Sequence, residues 1–318
     1  MLAGPPFRRL VRFVQLHVEL TKARLSSLVV VTAGGGYVLA AGIEDSARLL
    51  WTLLGTFLAS AGAMALNQVW EVARDARMHR TATRPLVTGA LPRWYGLAFG
   101  LLCSSVGVLL LAWKSHPLAA LLGLLVIALY VLVYTPLKAK SPFCTLVGAV
   151  CGAIPPLMGW AGATGSLAPG AWILAFLLFF WQIPHFLSLA WLYREDYRRG
   201  GFRMLPEVDP EGRLTGRFSF LYALATAGSA LSLALLRLAG AYFTAGAILL
   251  GGTLVFFAWR LAAAPSDRTA RALFRTTLLY LPLVVVLSAV DRRGEVKSSQ
   301  VAEAPAPPAA ALIWVRER

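Results

Sequence analysis

Three oxygen-bearing side chains recur at helical spacing where a long apolar run ends: Asn67, Glu71 and Asp75. Positions i, i+4 and i+8 share one face of an α-helix, so these groups would form a single stripe. Two carboxylates and an amide oxygen are ligands that Mg²⁺ takes when it also binds substrate phosphates. The stripe therefore predicts a metal-dependent site for a phosphorylated substrate. A solvated face with acid–arginine pairs is the alternative, which the position beside an apolar run disfavours.

Arginine residues follow the stripe closely, at Arg77, Arg80 and Arg84. A guanidinium group binds phosphate oxygens through paired hydrogen bonds. A metal ion and these arginines together would neutralise a departing diphosphate, which is the chemical problem in allylic substitution.

A second group of candidates is Tyr134 and Lys138, which lie four residues apart with Pro136 between them. We expect the proline to break the helix at this point. Lys138 is suited to a phosphate contact, and Tyr134 to a place beside a developing cation. Anchoring at a membrane surface accounts for the same two residues equally well.

A third group lies in the run FFWQIPHF, where Gln182, Pro184 and His185 are expected to interrupt an apolar helix. A histidine inside a membrane span is a functional hypothesis in its own right. It could ligate heme iron, transfer a proton or bond a neighbouring helix.

Glu195 and Asp196 follow ten residues later and are candidates for a second Mg²⁺ site that faces the first. Arg194 and Arg198 lie close to these two acids in the sequence, just as arginines lie close to the first stripe. For several arginines of this segment, the positive charge of an inside loop is a sufficient explanation.

The composition indicates that membrane helices hold these groups. Of 318 residues, 58% are hydrophobic and only 14% are charged, whereas a soluble domain has about a quarter charged residues. Windows of roughly 20 apolar residues can span a bilayer. The chain has nine such windows and is predicted to be an all-α membrane protein, with spans at 25–43, 48–66, 94–113, 117–134, 143–163, 169–192, 217–236, 241–259 and 272–290.

The net charge of +15 comes mainly from basic residues on alternate connections between the spans. That asymmetry predicts an inside N-terminus and an outside C-terminus. No basic stretch interleaved with aromatic residues indicates a nucleic-acid partner, and the three cysteines lack the spacing of a zinc site. We predict an N-terminal arm at 1–24, one nine-helix domain at 25–290 and a disordered tail at 291–318.

Several motifs resemble those of one known family. The run from Asn67 to Pro92 resembles the first aspartate-rich motif of the UbiA superfamily of intramembrane prenyltransferases. The runs YTPLK, GAIPPLMGW, WQIPHF and EDYRRGGFRMLP, in this order, are similar to those of its heme-directed branch, the protoheme IX farnesyltransferases. Several independent motifs in one order are more specific than any single short pattern.

The resemblance implies nine helices around a central cavity that opens to the cytoplasm, in a bacterial inner membrane. It implies farnesyl diphosphate as donor, heme b as acceptor, heme O as product, Mg²⁺ or Mn²⁺ as cofactor and heme A synthase as a candidate partner. The implied catalytic residues are Asn67, Glu71, Asp75, Tyr134, Lys138 and His185. The implied substrate contacts are Arg77, Arg80, Arg84, Lys138, Gln182, His185, Arg194 and Arg198, and the implied metal ligands are Asn67, Glu71, Asp75, Glu195 and Asp196.

Two alternatives remain at this stage. A related enzyme with another acceptor, such as a quinone precursor or a chlorophyllide, is disfavoured because such an acceptor gives no reason for His185 within a span. A transporter or heme exporter would tend to show internal repeats and broken helices at the midplane. The sequence shows no clear repeat.

Overall fold

The apolar runs fold into helices, because in a bilayer every backbone polar group must be paired within its own segment. A computed structural model of the chain describes residues 6–291. In that range the structure has α-helices and no strand. In chain order they are α1 (Pro6–Leu20), α2 (Ala23–Ala41), α3 (Ser46–Asp75), α4 (Arg93–Leu110), α5 (Pro117–Ala128), α6 (Thr135–Leu137), α7 (Cys144–Thr164), α8 (Pro169–Leu192), α9 (Arg194–Arg199), α10 (Leu205–Val208), α11 (Arg213–Leu235), α12 (Ala241–Ala263) and α13 (Asp267–Val290).

Nine helical runs between residues 6 and 291 are long and apolar enough to cross a membrane. They correspond one to one with the nine predicted windows, so the predicted all-α membrane architecture is confirmed. The largest difference is in α3, which continues through Asp75 instead of ending near residue 66. The predicted tail from residue 292 onward and the first five residues of the predicted arm lie outside the described residues.

Two π-helical segments interrupt the regular helices. Leu111–Ser115 extends α4, and Leu129–Tyr134 joins α5 to α6. The expected break at Pro136 is therefore wrong in its position, because the irregular segment comes first and the proline begins the short α6. The interruption expected at Pro184 is also wrong, since α8 is continuous through it. Membrane helices tolerate such a proline where neighbouring groups satisfy the freed backbone.

Helix α7 forms the centre of the bundle. In its span 78% of the residues are buried, against 28% in α4, α11 and α12, so α7 is enclosed by the other helices. Both α2 and α8 pack along it. Gly159 makes the α2 contact possible, because a Cβ atom there would collide with the carbonyl oxygen of Ala33. Close backbone approach at small residues is how membrane helices gain van der Waals contact.

The α3–α4 contact also depends on close backbone approach at a glycine. A Cβ atom added to Gly107 would meet the backbone nitrogen of Ala59 and, at 2.7 Å, the carbonyl oxygen of Gly55. Neither backbone atom can rotate away, so α4 holds α3 in place only while residue 107 has no side chain. Because α3 carries the stripe of Asn67, Glu71 and Asp75, this packing also positions the candidate site.

We predict that Gly107→Ala destabilises the protein by about 1–3 kcal/mol, the usual cost of overpacking a tight contact. Gly252→Ala is the matched control, because nothing lies within 4 Å of a Cβ atom added there. Thermal unfolding of both variants in detergent measures the difference. Equal unfolding temperatures for the two variants would show that the α3–α4 contact is looser than the structure indicates.

Candidate active site

The predicted stripe lies on one continuous helix at one end of the bundle. Asn67, Glu71 and Asp75 occupy the last turns of α3, and their side chains are only 1–2% exposed. They are therefore not a solvated helical face, which was the alternative. Polar groups at this depth are costly unless they have partners.

Each of the three side chains has a cationic partner from a different element. The Lys138 amine contacts a Glu71 carboxylate oxygen at 2.9 Å. Arg84 forms a short ion pair with Asp75. The Lys22 amine donates to the Asn67 side-chain oxygen at 2.7 Å. We call these six residues the polar cluster: Lys22, Asn67, Glu71, Asp75, Arg84 and Lys138.

The amide of Asn67 is fixed on its other side by α6. Its Nδ2 donates to the hydroxyl of Thr135 at 3.0 Å, and that hydroxyl donates to the carbonyl oxygen of Tyr130 at 2.8 Å. The Asn67 oxygen is therefore held toward Lys22. The orientation follows from geometry and not from an arbitrary choice of amide rotamer, since only the nitrogen can donate to Thr135.

Lys22 is a member of the cluster that the sequence analysis did not single out. Its backbone is left-handed, with φ +46°, which is rare for a residue other than glycine and marks positions held by their surroundings. Burial, together with repulsion by Arg84, lowers the pKa of the Lys22 amine to about 7. Nothing in the local sequence distinguishes it from other basic residues of the arm, because its partner Asn67 is 45 residues away.

An apolar cavity of about 190 Å³ lies among α2, α3, the α5–α6 segment, α7 and α8. Its walls are mostly aliphatic, with Met64, Val126 and Met158 among them, and its few polar groups include Tyr130, Tyr134 and Gln182. Such a space suits a hydrocarbon chain.

Tyr130 and Tyr134 connect the cavity with the polar cluster. Both line the cavity, and their rings stack at 5.1 Å. The Lys138 amine lies 5.6 Å from the Tyr134 ring. Both residues belong to the π-helical segment, and the π-bulge geometry is frequent at functional sites. Tyr134 was predicted as a site residue, whereas Tyr130 was missed, although it lies four residues earlier and so on the same helical face.

The two polar residues of the third predicted group, Gln182 and His185, lie in different surroundings in the structure. Gln182 lines the cavity, and its Nε2 donates to the carbonyl oxygens of Leu178 and Ala149. His185 is not among the cavity-lining residues. Its Nδ1 lies 2.9 Å from the Thr277 hydroxyl on α13, and its ring lies 5.1 Å from that of Phe274, also on α13.

Two connections cover the polar cluster: residues 76–92, called the first loop, and residues 193–212, called the second loop. On the second loop, Glu195 is exposed and pairs with Arg198, which lowers the pKa of the Glu195 carboxyl through a hydrogen bond and its charge. Arg194 instead pairs with Asp267 of α13 at 2.8 Å. Asp196 accepts hydrogen bonds from the backbone of the first loop.

Glu195 and Asp196 of the second loop do not join the polar cluster. Between residues 6 and 291, no group of three or more His, Cys, Asp and Glu side chains is placed to hold a metal ion. Of the arginines predicted to bind substrate, Arg84 belongs to the polar cluster, Arg80 lies between the two loops and Arg77 is exposed.

A model of the UbiA prenyltransferase family matches residues 28–281, from α2 to α13. This chain belongs to the UbiA prenyltransferase family. The resemblance read from the sequence motifs is thereby confirmed, and the chain is a prenyltransferase by family.

Curated UbiA-family relatives cover most of the chain and are named protoheme IX farnesyltransferase. The relative from Solibacter usitatus (strain Ellin6076) is 40% identical over 87% of this chain and 99% of its own length. The relative from Anaeromyxobacter sp. (strain Fw109-5) is 43% identical over 84% of this chain and 90% of its own length. The human mitochondrial relative is 39% identical over 86% of this chain and 62% of its own length.

Solved UbiA-type structures share the fold at low sequence identity. A digeranylgeranylglyceryl phosphate synthase has a TM-score of 0.74 at 14% identity, over 87% of this chain and 98% of that one. A UbiA homologue from Archaeoglobus fulgidus bound to GPP and Mg²⁺ has a TM-score of 0.58 at 12% identity, over 86% of this chain and 99% of that one.

We predict that Lys138→Met destabilises the protein by about 3–5 kcal/mol, because it leaves the Glu71 carboxylate buried without a partner. The double variant Lys138→Met with Glu71→Gln should recover most of that loss. Thermal unfolding in detergent without divalent cations measures both. The exposed pair of Glu211 and Arg213 is the control, and its disruption should cost about 0–1 kcal/mol. Additive losses at Glu71 and Lys138 would contradict the pairing.

Proposed function

We propose that this chain transfers a farnesyl group from farnesyl diphosphate to a vinyl group of heme b, and that the products are heme O and diphosphate. The observation that carries the proposal is the polar cluster beside an apolar cavity, with Tyr134 lining the cavity and contacting Lys138 of the cluster. A diphosphate group fits the cations, and a prenyl chain fits the cavity. The heme acceptor comes from the names of the relatives, which are about 40% identical over most of this chain.

The cations of the polar cluster are the proposed diphosphate contacts. Lys22, Arg84 and Lys138 come from separate elements and converge on one stripe. In the described part of the chain, the side chain of each cation donates to one oxygen of the stripe. Arg84 and Lys138 therefore keep further N–H donors for phosphate oxygens. Preorganised cations in a dry site stabilise a leaving anion without reorganisation at the moment of reaction.

The oxygens of the stripe fit a divalent cation. Carboxylates and amide oxygens are the donors that Mg²⁺ takes beside phosphate groups, and Asn67, Glu71 and Asp75 present them along one face of α3. The A. fulgidus homologue of the same fold binds Mg²⁺ together with GPP. We propose that these three residues hold Mg²⁺, or Mn²⁺ in its place. When bound, the ion would neutralise the diphosphate.

The cavity walls supply the second requirement of allylic transfer, which is the exclusion of water. As the C1–oxygen bond of the donor breaks, positive charge develops on the farnesyl chain. The rings of Tyr130 and Tyr134 lie between the polar cluster and the cavity, where a π face attracts such charge. The aliphatic remainder of the wall excludes water from the cation.

The acceptor step completes the reaction. The terminal vinyl carbon of heme b forms a bond with farnesyl C1, and the positive charge moves to the vinyl carbon next to the ring. Water adds to that carbon, and the proton it loses leaves with diphosphate. His185 remains a predicted heme contact: its Nδ1 faces Thr277, so Nε2 is the nitrogen that would serve the acceptor.

The chain is an integral membrane protein, with nine apolar helices in its described part. We further propose that the membrane is the bacterial inner membrane, with the two loops and the N-terminal arm cytoplasmic and the C-terminus outside. The arm at 1–24, the enzyme domain at 25–290 and heme A synthase as the recipient of the product belong to the same proposal.

The proposal predicts heme O formation by membranes that contain this chain, heme b, farnesyl diphosphate and Mg²⁺. A new heme with the mass of heme b plus a farnesyl group and a hydroxyl group should appear in mass spectra and be absent under EDTA. Asp75→Ala should abolish it while membrane insertion is kept, because one ligand of the diphosphate complex is lost. Prenylation of another aromatic acceptor, with heme b unchanged, would retain the family chemistry and refute the heme assignment.

We predict that His185→Ala weakens heme b binding by roughly tenfold or more, because it removes a side chain that contacts the acceptor as ligand or as proton donor. The control is Thr277→Val, which removes the partner of Nδ1 but keeps the imidazole. Absorbance titration of heme b into both variants gives the affinities. If both variants bind heme b like the unmodified chain, His185 only packs α8 against α13.

A further inference from the structure

A second apolar cavity, called the lateral cavity below, lies among the N-terminal end of α7, α8, α10 and α11 and has a volume of about 270 Å³. Within the described residues it shares no lining side chain with the first cavity. On α8, Gln182 and Phe186 line the first cavity, whereas Ile183 and Leu187 line the lateral cavity. The proposed transfer reaction therefore gives the lateral cavity no role.

The lateral cavity lies at the end of the bundle that carries the polar cluster. Thr145 lines it from the first turn of α7, and Leu205 lines it from the second loop. Along α8 it reaches inward to Ile183, nine residues before the helix ends at Leu192. At 1.5 Å per residue this depth is about 14 Å, and one leaflet of the hydrocarbon core is about 15 Å thick. The cavity therefore has the depth of one leaflet.

The cavity opens on the side of the bundle. Its outer wall includes Phe143 and Phe218, which are 69% and 40% exposed. Its wall also includes Tyr222, whose ring packs against that of Phe179 at 6.3 Å. Exposed aromatic side chains on a membrane bundle face lipid tails, which are as apolar as the side chains themselves. An acyl chain can therefore enter this cavity from the bilayer.

One hydroxyl in the wall lacks a partner. Thr145 is 6% exposed, and its hydroxyl oxygen has no nitrogen or oxygen partner in the described chain. Its polar neighbour is the Cys144 thiol, which is a weak hydrogen-bonding group. A buried hydroxyl without a full hydrogen bond is unfavourable. In the first turn of α7 this hydroxyl lies near the depth of phospholipid ester groups, whose carbonyl oxygens accept hydrogen bonds.

Three exposed basic residues adjoin the mouth of the lateral cavity: Lys140, Arg203 and Arg217, each within two residues of a lining residue. The backbone N–H of Arg203 donates to the Lys138 carbonyl at 2.8 Å, so the segments of Lys140 and Arg203 lie side by side. Within the described residues none of the three forms an ion pair. One exposed acid, Glu207, lies on α10, so the mouth has a net positive charge.

We propose that the lateral cavity is a binding site for an anionic phospholipid from the leaflet on this side of the membrane. One acyl chain fills the cavity, and an ester carbonyl accepts from the Thr145 hydroxyl. The phosphate lies among Lys140, Arg203 and Arg217. Basic pockets between helices near a membrane surface bind anionic headgroups in this way. The inference does not depend on the transfer reaction, because it uses none of the residues assigned to that reaction.

Native mass spectrometry of the purified, delipidated full chain in detergent measures the binding. The probes are phosphatidylglycerol and phosphatidylcholine with the same palmitoyl and oleoyl chains. We expect one phosphatidylglycerol per chain to bind roughly tenfold or more tightly than phosphatidylcholine, because each nearby cation adds to the attraction for an anionic headgroup. Equal affinities for the two lipids would overturn the inference.

Three variants test the parts of the site. Leu146→Trp fills the cavity, since Leu146 lines it, and should remove the strong site. Thr145→Val keeps the shape of the side chain and should weaken both lipids about fivefold through the lost hydrogen bond. It also tests the site should the larger tryptophan prevent folding. Arg217→Gln should weaken phosphatidylglycerol alone, by about fivefold.

Arg93→Gln is the matched control. Arg93 is an exposed basic residue at the same end of the bundle, where it begins α4, and no residue of α4 lines the lateral cavity. This variant should bind phosphatidylglycerol like the unmodified chain. If it weakens binding as much as Arg217→Gln does, the lipid is held by the general charge of this side and the inference is wrong.

The two substrates of the proposed reaction provide the last test. Neither heme b nor farnesyl diphosphate should displace the first phosphatidylglycerol. Displacement by either would make the lateral cavity a substrate site and overturn the inference. The heme O assay on the same protein reports on the proposed function separately, so failure of one result does not imply failure of the other.

Discussion

Two carboxylates buried at the end of a membrane helix impose the constraint on which the rest of the site depends. Removing an ionised carboxylate from water costs several kcal/mol unless a partner and further hydrogen bonds compensate for it. Glu71 and Asp75 obtain those partners from Lys138 and Arg84. The end of α6 and the first loop must therefore converge on α3, and the close α3–α4 contact at Gly107 holds α3 where they can reach it.

The same compensation prepares the site for its substrate. Cations that balance buried acids are already ordered and poorly hydrated, so they can bind a diphosphate with little further cost in entropy. The adjoining cavity has the opposite character, with aliphatic walls and the two tyrosine rings at its boundary. Charge separation between a leaving anion and a prenyl cation thus has a matching surface on each side.

Local patterns predicted the parts that local physics determines. Hydropathy identified the nine spans, and the i, i+4, i+8 spacing identified the face of α3, because both depend on neighbours along the chain. Contacts between segments that are far apart in the sequence could not be predicted from such local patterns. Lys22 meets Asn67 across 45 residues, and Asp196 meets Arg80 across 116. The interruption predicted at Pro184 was wrong because the effect of this proline on α8 depends on the surrounding helices.

All six residues of the polar cluster precede residue 139, so the first half of the chain contains both the buried acids and their counter-charges. During synthesis, α3 enters the bilayer with Glu71 lacking its lysine until the ribosome has made the end of α6. From then on both buried acids have their ion-pair partners, although α8 and the second loop do not yet exist. The N-terminal spans can therefore pack against one another before the second loop, which covers the polar cluster, is translated.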